Sequence, residues 1–226
     1  MSLEKINTII DALKHERYKW TPVRRTYIPK KNGRLRPLGM PSESDKLLQE
    51  VIRSILEAYY EPQFNQHSHG FRPKRGCHTA LKEITQKGRA TKWFIEGDIS
   101  ACFDRIDHTI LLNILLDKIH HNRFIRLIKG LLDAGYLENW KYNSTYSGVP
   151  QGAVVSPILA NLVLDKLDKY VEQELIPAHT RGQRRSVYPP YRELTLICVK
   201  SPKSWKIGRS TETEPTGTVH SIPRPQ

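Results

Sequence analysis

Asp98 follows a compact apolar run, Trp93-Phe94-Ile95, and heads the stretch Asp98-Ile99-Ser100-Ala101-Cys102-Phe103-Asp104. A carboxylate at the C-terminal end of a buried strand, beside a loop that turns into a helix, can hold a divalent cation with backbone carbonyls as co-ligands. An aspartate in that place also stops a strand or caps a turn, and the residue type leaves both roles open. A second constellation, Gly148-Val149-Pro150-Gln151-Gly152, runs into Ser156-Pro157. Two glycines flanking Pro-Gln allow a ligand close to the backbone, and a helix start behind them offers free N–H groups to an anion or a nucleobase. Ser156 as N-cap with Pro157 at the first helical position equally makes an ordinary loop-to-helix junction.

From Arg24 to Arg36, six of thirteen residues are basic, namely Arg24, Arg25, Lys30, Lys31, Arg34 and Arg36, with no acid among them. Such a density repels itself unless phosphates neutralise it, which favours a phosphate-binding strip over a solvated face. A second patch, Gly70-Phe71-Arg72-Pro73-Lys74-Arg75, interleaves an aromatic ring with charge and suits backbone contact plus stacking on a single strand.

These groups need elements to hold them. Leu3, Ile6, Ile9, Ile10 and Leu13 form a stripe at helical spacing and predict a surface helix over 2–18. Residues 21–41 read as a basic hairpin turning at Lys31-Asn32-Gly33. Ser42 with Asp45 matches a capping box, and Leu47, Leu48, Val51, Ile52, Ile55, Leu56 and Tyr59 predict a largely buried helix reaching Pro62. A shorter helix over 77–87, a strand over 92–95 and helices over 107–119 and 123–133 follow. A hairpin with alternating aromatics, YLENWKYNSTYSGVPQG, then leads to a long helix over 156–175. Beyond Arg185 the periodicity disappears, prolines recur, and residues 186–226 are expected to be disordered.

Composition narrows the partners. A chain of 226 residues accommodates one large domain or two small ones, and 36 Lys plus Arg against 23 Asp plus Glu leave a formal charge of +13. The imbalance favours a polyanion, nucleic acid before membrane. Cys77, Cys102 and Cys198 include no C-x-x-C pair, which excludes a disulfide framework and a zinc ribbon and fits a reducing compartment. No apolar run approaches the ~18 residues of a membrane span, and no signal peptide is evident. A cytoplasmic location is expected, with no membrane partner.

Four motifs now combine: RxYIPKKNGxLRPLGxP, SHGFRPxRxCHTAL, GDISxCFDxIDH and GVPQGxxxSPxLANxxLxxLD. In this order and at these separations they resemble the reverse transcriptases of bacterial group II introns, which also serve as intron maturases. The resemblance covers roughly residues 1–185. It implies an α+β right-hand polymerase, with fingers over 1–90 and a partial palm, an antiparallel sheet packed on helices, over 91–185. Asp98 matches the first metal-binding aspartate, and the carbonyl of Ile99 matches a backbone metal ligand. Phe103 matches the bulky residue beneath the nucleotide sugar, where a ring would collide with a 2′-hydroxyl. Arg24, Lys30 and Arg36 match fingers residues that grip template and triphosphate, and Pro150, Gln151 and Gly152 match the turn along the nascent base pair.

The implied chemistry is in-line attack of a DNA primer 3′-hydroxyl on a dNTP over an RNA template, assisted by two Mg²⁺ ions. Intron RNA is the implied further partner. The family supplies its other carboxylates from a Tyr-Ala-Asp-Asp hairpin after the long helix, and this sequence has neither that motif nor any Asp-Asp pair. The fold is therefore expected to be incomplete, at most a partial metal site is expected, and a truncated or frameshifted reading frame would give this pattern. The alternative is an RNA-binding, maturase-like piece without synthesis, or a non-functional remnant.

Overall fold

A computed structural model describes residues 2–29, 33, 35–87, 93–97, 99–150, 152–180, 196–198 and 206–209, with backbone alone at 93–97, at 179–180 and in the last two segments. In chain order the elements are helix α1 (Leu3–Lys14), strands β1 (Val23–Pro29) and β2 (Leu35–Met40), and helices α2 (Glu43–Tyr60) and α3 (Cys77–Lys87). Strand β3 (Trp93–Gly97), helices α4 (His108–Leu116) and α5 (Asn122–Asp133), and strands β4 (Tyr136–Glu138) and β5 (Lys141–Asn143) come next. Helix α6 (Ser156–Tyr170) continues through a π-helical turn (Val171–Leu175) into α7 (Ile176–Thr180), followed by strands β6 (Leu196–Cys198) and β7 (Lys206–Arg209). Two compact units result, one of Met1–Phe64 with Ala101–Lys166 and one of Asn65–Ser100 with Leu167–Gln226. Each unit takes residues from both sides of position 90.

The first unit is built on the order β2-β1-β4-β5. β1 and β2 form the expected basic hairpin, antiparallel, from Arg24 opposite Met40 to Pro29 opposite Leu35. β4 then lies parallel to β1, Val23 opposite Tyr136, and pairs antiparallel with β5. The sheet is mixed rather than wholly antiparallel because the chain passes through α4 and α5 before returning beside β1, and so long a crossover permits a parallel neighbour.

Helix α2 begins as its sequence dictates. Ser42 Oγ accepts the Asp45 backbone N–H at 3.2 Å and donates to the Asp45 carboxylate at 2.7 Å. Asp45 is buried, and it also accepts Tyr18 Oη–H at 2.8 Å and the Thr21 N–H at 3.3 Å, tying the entry of β1 to the start of α2. The apolar content of α2 is not all inside. Leu48, Ile52, Leu56 and Tyr60 are buried, whereas Val51, Ile55 and Tyr59 remain about half exposed. The expectation of a largely buried helix is corrected to an amphipathic one, because two adjacent apolar rows face in different directions and the core meets one of them. That core gathers Leu111 and Leu115 of α4, Ile128 and Leu132 of α5, and Leu159 and Leu162 of α6.

In the second unit the loop before α3 is self-bonded. His67 and His69 both contact the Glu83 carboxylate, the latter at 2.7 Å, and Lys87 Nζ donates to the same group at 2.7 Å. β3 runs parallel to β6 and antiparallel to β7. The expectation of disorder over 186–226 does not hold for Leu196–Cys198 and Lys206–Arg209, which are strands because β3 offers backbone donors and acceptors on both edges. The rest of that stretch lies outside the described residues.

Candidate nucleotide and nucleic-acid site

The centre of the first unit is the turn Gly148–Gly152, and its backbone is held at several points. Gly148 N–H donates to the Ile106 carbonyl and Val149 N–H to the Phe103 carbonyl, both at 2.7 Å. His108 Nε2 lies 2.7 Å from the Gly148 carbonyl, a geometry that requires the proton on that nitrogen. Behind the turn, Ala153 N–H donates to the Pro150 carbonyl at 3.1 Å, and Ser156 Oγ–H reaches the same oxygen at 2.8 Å. Ser156 is thus the first residue of α6 and a strut for the turn. Val154 N–H donates to Oε1 of Gln49, a fully buried residue of α2, at 2.9 Å.

Both glycines are required. Gly148 has φ +86, and a Cβ there would lie 2.8 Å from the Asp104 carbonyl oxygen. Gly152 has φ +101, and its Cβ would fall 2.7 Å from both the Gly39 carbonyl oxygen and Leu38 Cδ1 on β2. The turn therefore sits directly against the basic hairpin. Alternation along the strands puts Leu38 on one sheet face with Arg24 and Arg36, the face that meets the turn. Phe103, half-buried against the core, is bonded through its carbonyl to the same turn. Arg24 and Arg36 are both exposed.

The sequence-derived candidates divide accordingly. Arg24, Arg36, Phe103, Pro150 and Gly152 are assembled within one unit. Arg25 falls on the opposite sheet face, its guanidinium 3.4 Å from the centroid of the Tyr136 ring and 3.9 Å from the Glu138 carboxylate. Tyr27 donates to the same carboxylate, and that bond holds its phenol above the ordinary tyrosine range. Arg72 is buried, and its Nη1 donates to the Asn65 carbonyl at 2.6 Å and the Ser68 carbonyl at 2.8 Å, so this guanidinium closes its own loop. Arg75 likewise donates to the Gln66 carbonyl, while Lys74 is exposed at φ +58. Ile99 belongs to the second unit. Asp98, Lys30, Lys31, Arg34 and Gln151 lie outside the described residues.

Sequence reasoning missed Gln49, took Asp45 only as a partner in the helix cap, and missed His108; all three brace the elements around the site. The signal available for the first two was a polar residue on a buried helical stripe, since Asp45, Gln49, Ile52 and Leu56 share one face of α2. His108, inside the GDISxCFDxIDH motif, carries no such mark.

A hairpin of basic strands packed against the Gly148–Gly152 turn, with the Phe103 carbonyl bonded to that turn, is an arrangement suited to a nucleotide and a nucleic-acid strand. Residues 28–194 match the reverse transcriptase (RNA-dependent DNA polymerase) family, and the chain belongs to it. It is 52% identical over 194 residues to the group II intron-encoded protein LtrA of Lactococcus lactis subsp. cremoris, covering 85% of this chain and 32% of that protein. The putative COX1/OXI3 intron 2 protein of Saccharomyces cerevisiae is 39% identical over 198 residues, 86% of this chain and 23% of that protein. The chain thus spans a third or less of the length of these relatives. Among solved structures, a partial Cas6-RT-Cas1–Cas2 complex shares the fold, with a TM-score of 0.50 and 22% identity over 76% of this chain and 30% of that one.

Proposed function

We propose that the chain supplies the fingers and first part of the palm of a group II intron-encoded reverse transcriptase, an RNA-directed DNA polymerase that extends a DNA primer with dNTPs on an RNA template. The observation that carries this reading is the turn at Gly148–Gly152, locked against Phe103 and β2 with Arg24 and Arg36 on the adjoining face. A guanidinium suits phosphate oxygens because its planar fork donates two parallel hydrogen bonds. The two glycines that flank Val-Pro-Gln in this turn let a flat base pair approach the backbone closely.

The family works with a divalent metal, and in this reading the ion is Mg²⁺. The acids of the described residues do not make up a two-ion centre. Among the described residues no three His, Cys, Asp or Glu side chains converge on a metal position, and the sequence holds no Asp-Asp pair. Asp98 with the Ile99 carbonyl is at most one side of such a site. What the described residues contribute in this reading is positioning of template and nucleotide, and a second reading, in which the chain binds intron RNA without synthesis, rests on the same positioning residues. No described helix is long and apolar enough to cross a membrane. The excess of basic residues favours nucleic acid as the partner, and a cytoplasmic location is part of the proposal.

The deciding assay is templated dNTP incorporation by the purified chain on an RNA template with a DNA primer in Mg²⁺. No extension above an Asp98→Ala control is expected. Extension that the control lacks would show that the chain completes its own metal site.

A further inference from the structure

The β4–β5 hairpin and the loop after it carry three exposed aromatic rings that the polymerase reading leaves without a task. Trp140 is 96% exposed, Tyr146 is 87% exposed and Tyr142 is 56% exposed. The hairpin turns in two residues, Glu138 pairing with Lys141, and both central residues are left-handed, Asn139 at φ +48 and Trp140 at φ +64. That is the dihedral pattern of a type I′ turn, whose second central position favours glycine. A bulky residue there costs backbone energy, and a tryptophan exposed to this extent recovers almost none of it by burial. The tip therefore bears a ring that the fold has no use for.

The surroundings indicate what would cover it. Tyr142 lies opposite Leu137, and Leu137 lies opposite Arg24, so Tyr142 shares the sheet face of Arg24 and Arg36. Its ring lies over Gly135, where an added Cβ would come 2.7 Å from Cε2. Tyr146 stands two residues before the Gly148 turn. By the same alternation Lys141, which pairs opposite Glu138, lies on the other face, and there the hairpin's one acid is engaged with Tyr27 and Arg25, so the ring face carries no acid of the hairpin. Rings that share a face with the exposed Arg24 and Arg36, without an acid of the hairpin among them, match a stacked single strand better than an apolar protein surface.

We propose that Trp140 and Tyr142 of the hairpin, with Tyr146 of the loop that follows, form a stacking platform for unpaired nucleotides of an RNA strand that continues past the Arg24–Arg36 face. This rests on the nucleic-acid reading above. Stacking uses the π-face of any base and adds little charge neutralisation, so it has a signature separate from that of the basic strip. Affinity should fall when a ring is removed, and the salt dependence should not.

The test titrates the full chain with a fluorescent oligouridylate and with a blunt RNA duplex over a range of salt. Trp140→Gly places the favoured residue in the turn, so its thermal midpoint should equal or exceed the parent's, which separates lost stacking from lost folding. Trp140→Gly and Tyr142→Ala should each weaken single-strand binding by about 5- to 150-fold, equivalent to ~1–3 kcal/mol per stacked base. The salt slope and duplex affinity should stay at parental values, and Trp140→Phe should recover most of the loss. Parental single-strand affinity in both ring-removing variants would overturn the platform and leave the polymerase reading standing. Equal losses on single strand and duplex with a flatter salt slope would also overturn it, since charge would then be what the variants disturb. A parent chain that binds neither RNA would overturn the platform and the nucleic-acid reading together.

Discussion

Gly152 shows how much a single position can decide. Its φ of +101 and the 2.7 Å approach to the Gly39 carbonyl oxygen leave no room for a methyl group, and the obstacle is backbone that cannot swing aside. Gly152→Ala should cost ~1–3 kcal/mol, read as a lowered denaturant midpoint. Gly76→Ala, where a Cβ would meet nothing within 4 Å, should stay within ~0.5 kcal/mol of the parent. Glu83 gives a pH prediction. Burial pushes its carboxyl upward, but hydrogen bonds from Lys87, His69 and His67 prevail and bring it from 4.5 down to about 2. A depressed carboxylate stabilises the fold above its unfolded pKa and loses that contribution as pH falls through the folded value. The stability difference between the parent and Glu83→Gln should therefore be level above pH 4.5 and shrink toward pH 2, as followed by denaturation at stepped pH. A difference that grows with acid would contradict the assigned bonds.

At the scale of elements, α2 is the organiser. Its N-terminus holds the entry of β1 through Asp45, its buried side supplies Leu48, Ile52 and Leu56 to the core, and Gln49 reaches the turn that forms the site. Which row faces inward is measurable. Leu56 is fully buried and Ile55 is 53% exposed, so Leu56→Ala should cost ~2–5 kcal/mol by leaving a cavity, and Ile55→Ala less than ~1 kcal/mol. Equal losses in chemical denaturation would mean that the second row is also covered. The helices themselves were legible in the sequence, with the Ser42 cap and the 3.6-residue spacing giving α2 within a residue or two. Their orientation was not, because Leu47-Leu48 and Val51-Ile52 are apolar on adjacent rows and spacing does not rank one row above the other.

For the molecule as a whole, the charge of +13 and the basic hairpin predict salt-sensitive RNA binding, with log K falling by about 0.7 per decade of salt for each phosphate contact on a single strand. Replacing Arg24, Lys30 and Arg36 together with alanine should weaken binding and flatten that slope. A triple variant that titrates like the parent would move the binding face elsewhere. The charge excess alone pointed to a polyanion, but it did not distinguish between arginines. The structure separates Arg24 and Arg36, exposed beside the Gly152 turn, from Arg25 on Tyr136 and from Arg72, buried on carbonyls of its own loop. A guanidinium with five donors satisfies a buried loop as readily as a phosphate, and only its neighbours decide which.

By itself the sequence determined the polymerase family and the local elements, through ordered motifs, caps and periodicities that depend on neighbours a few residues apart. It also specified glycine at 148 and 152 without saying what each one approaches. Tertiary structure alone decided the parallel seat of β4 beside β1, the pairing of β6 and β7 with β3, the inward row of α2, and the struts from Gln49 and His108 to the turn. Each of these joins residues far apart in the chain. A strand pattern records which side chains alternate, but not which edge will pair with it. A buried polar side chain is unremarkable in sequence until the backbone group it satisfies is brought within hydrogen-bond reach.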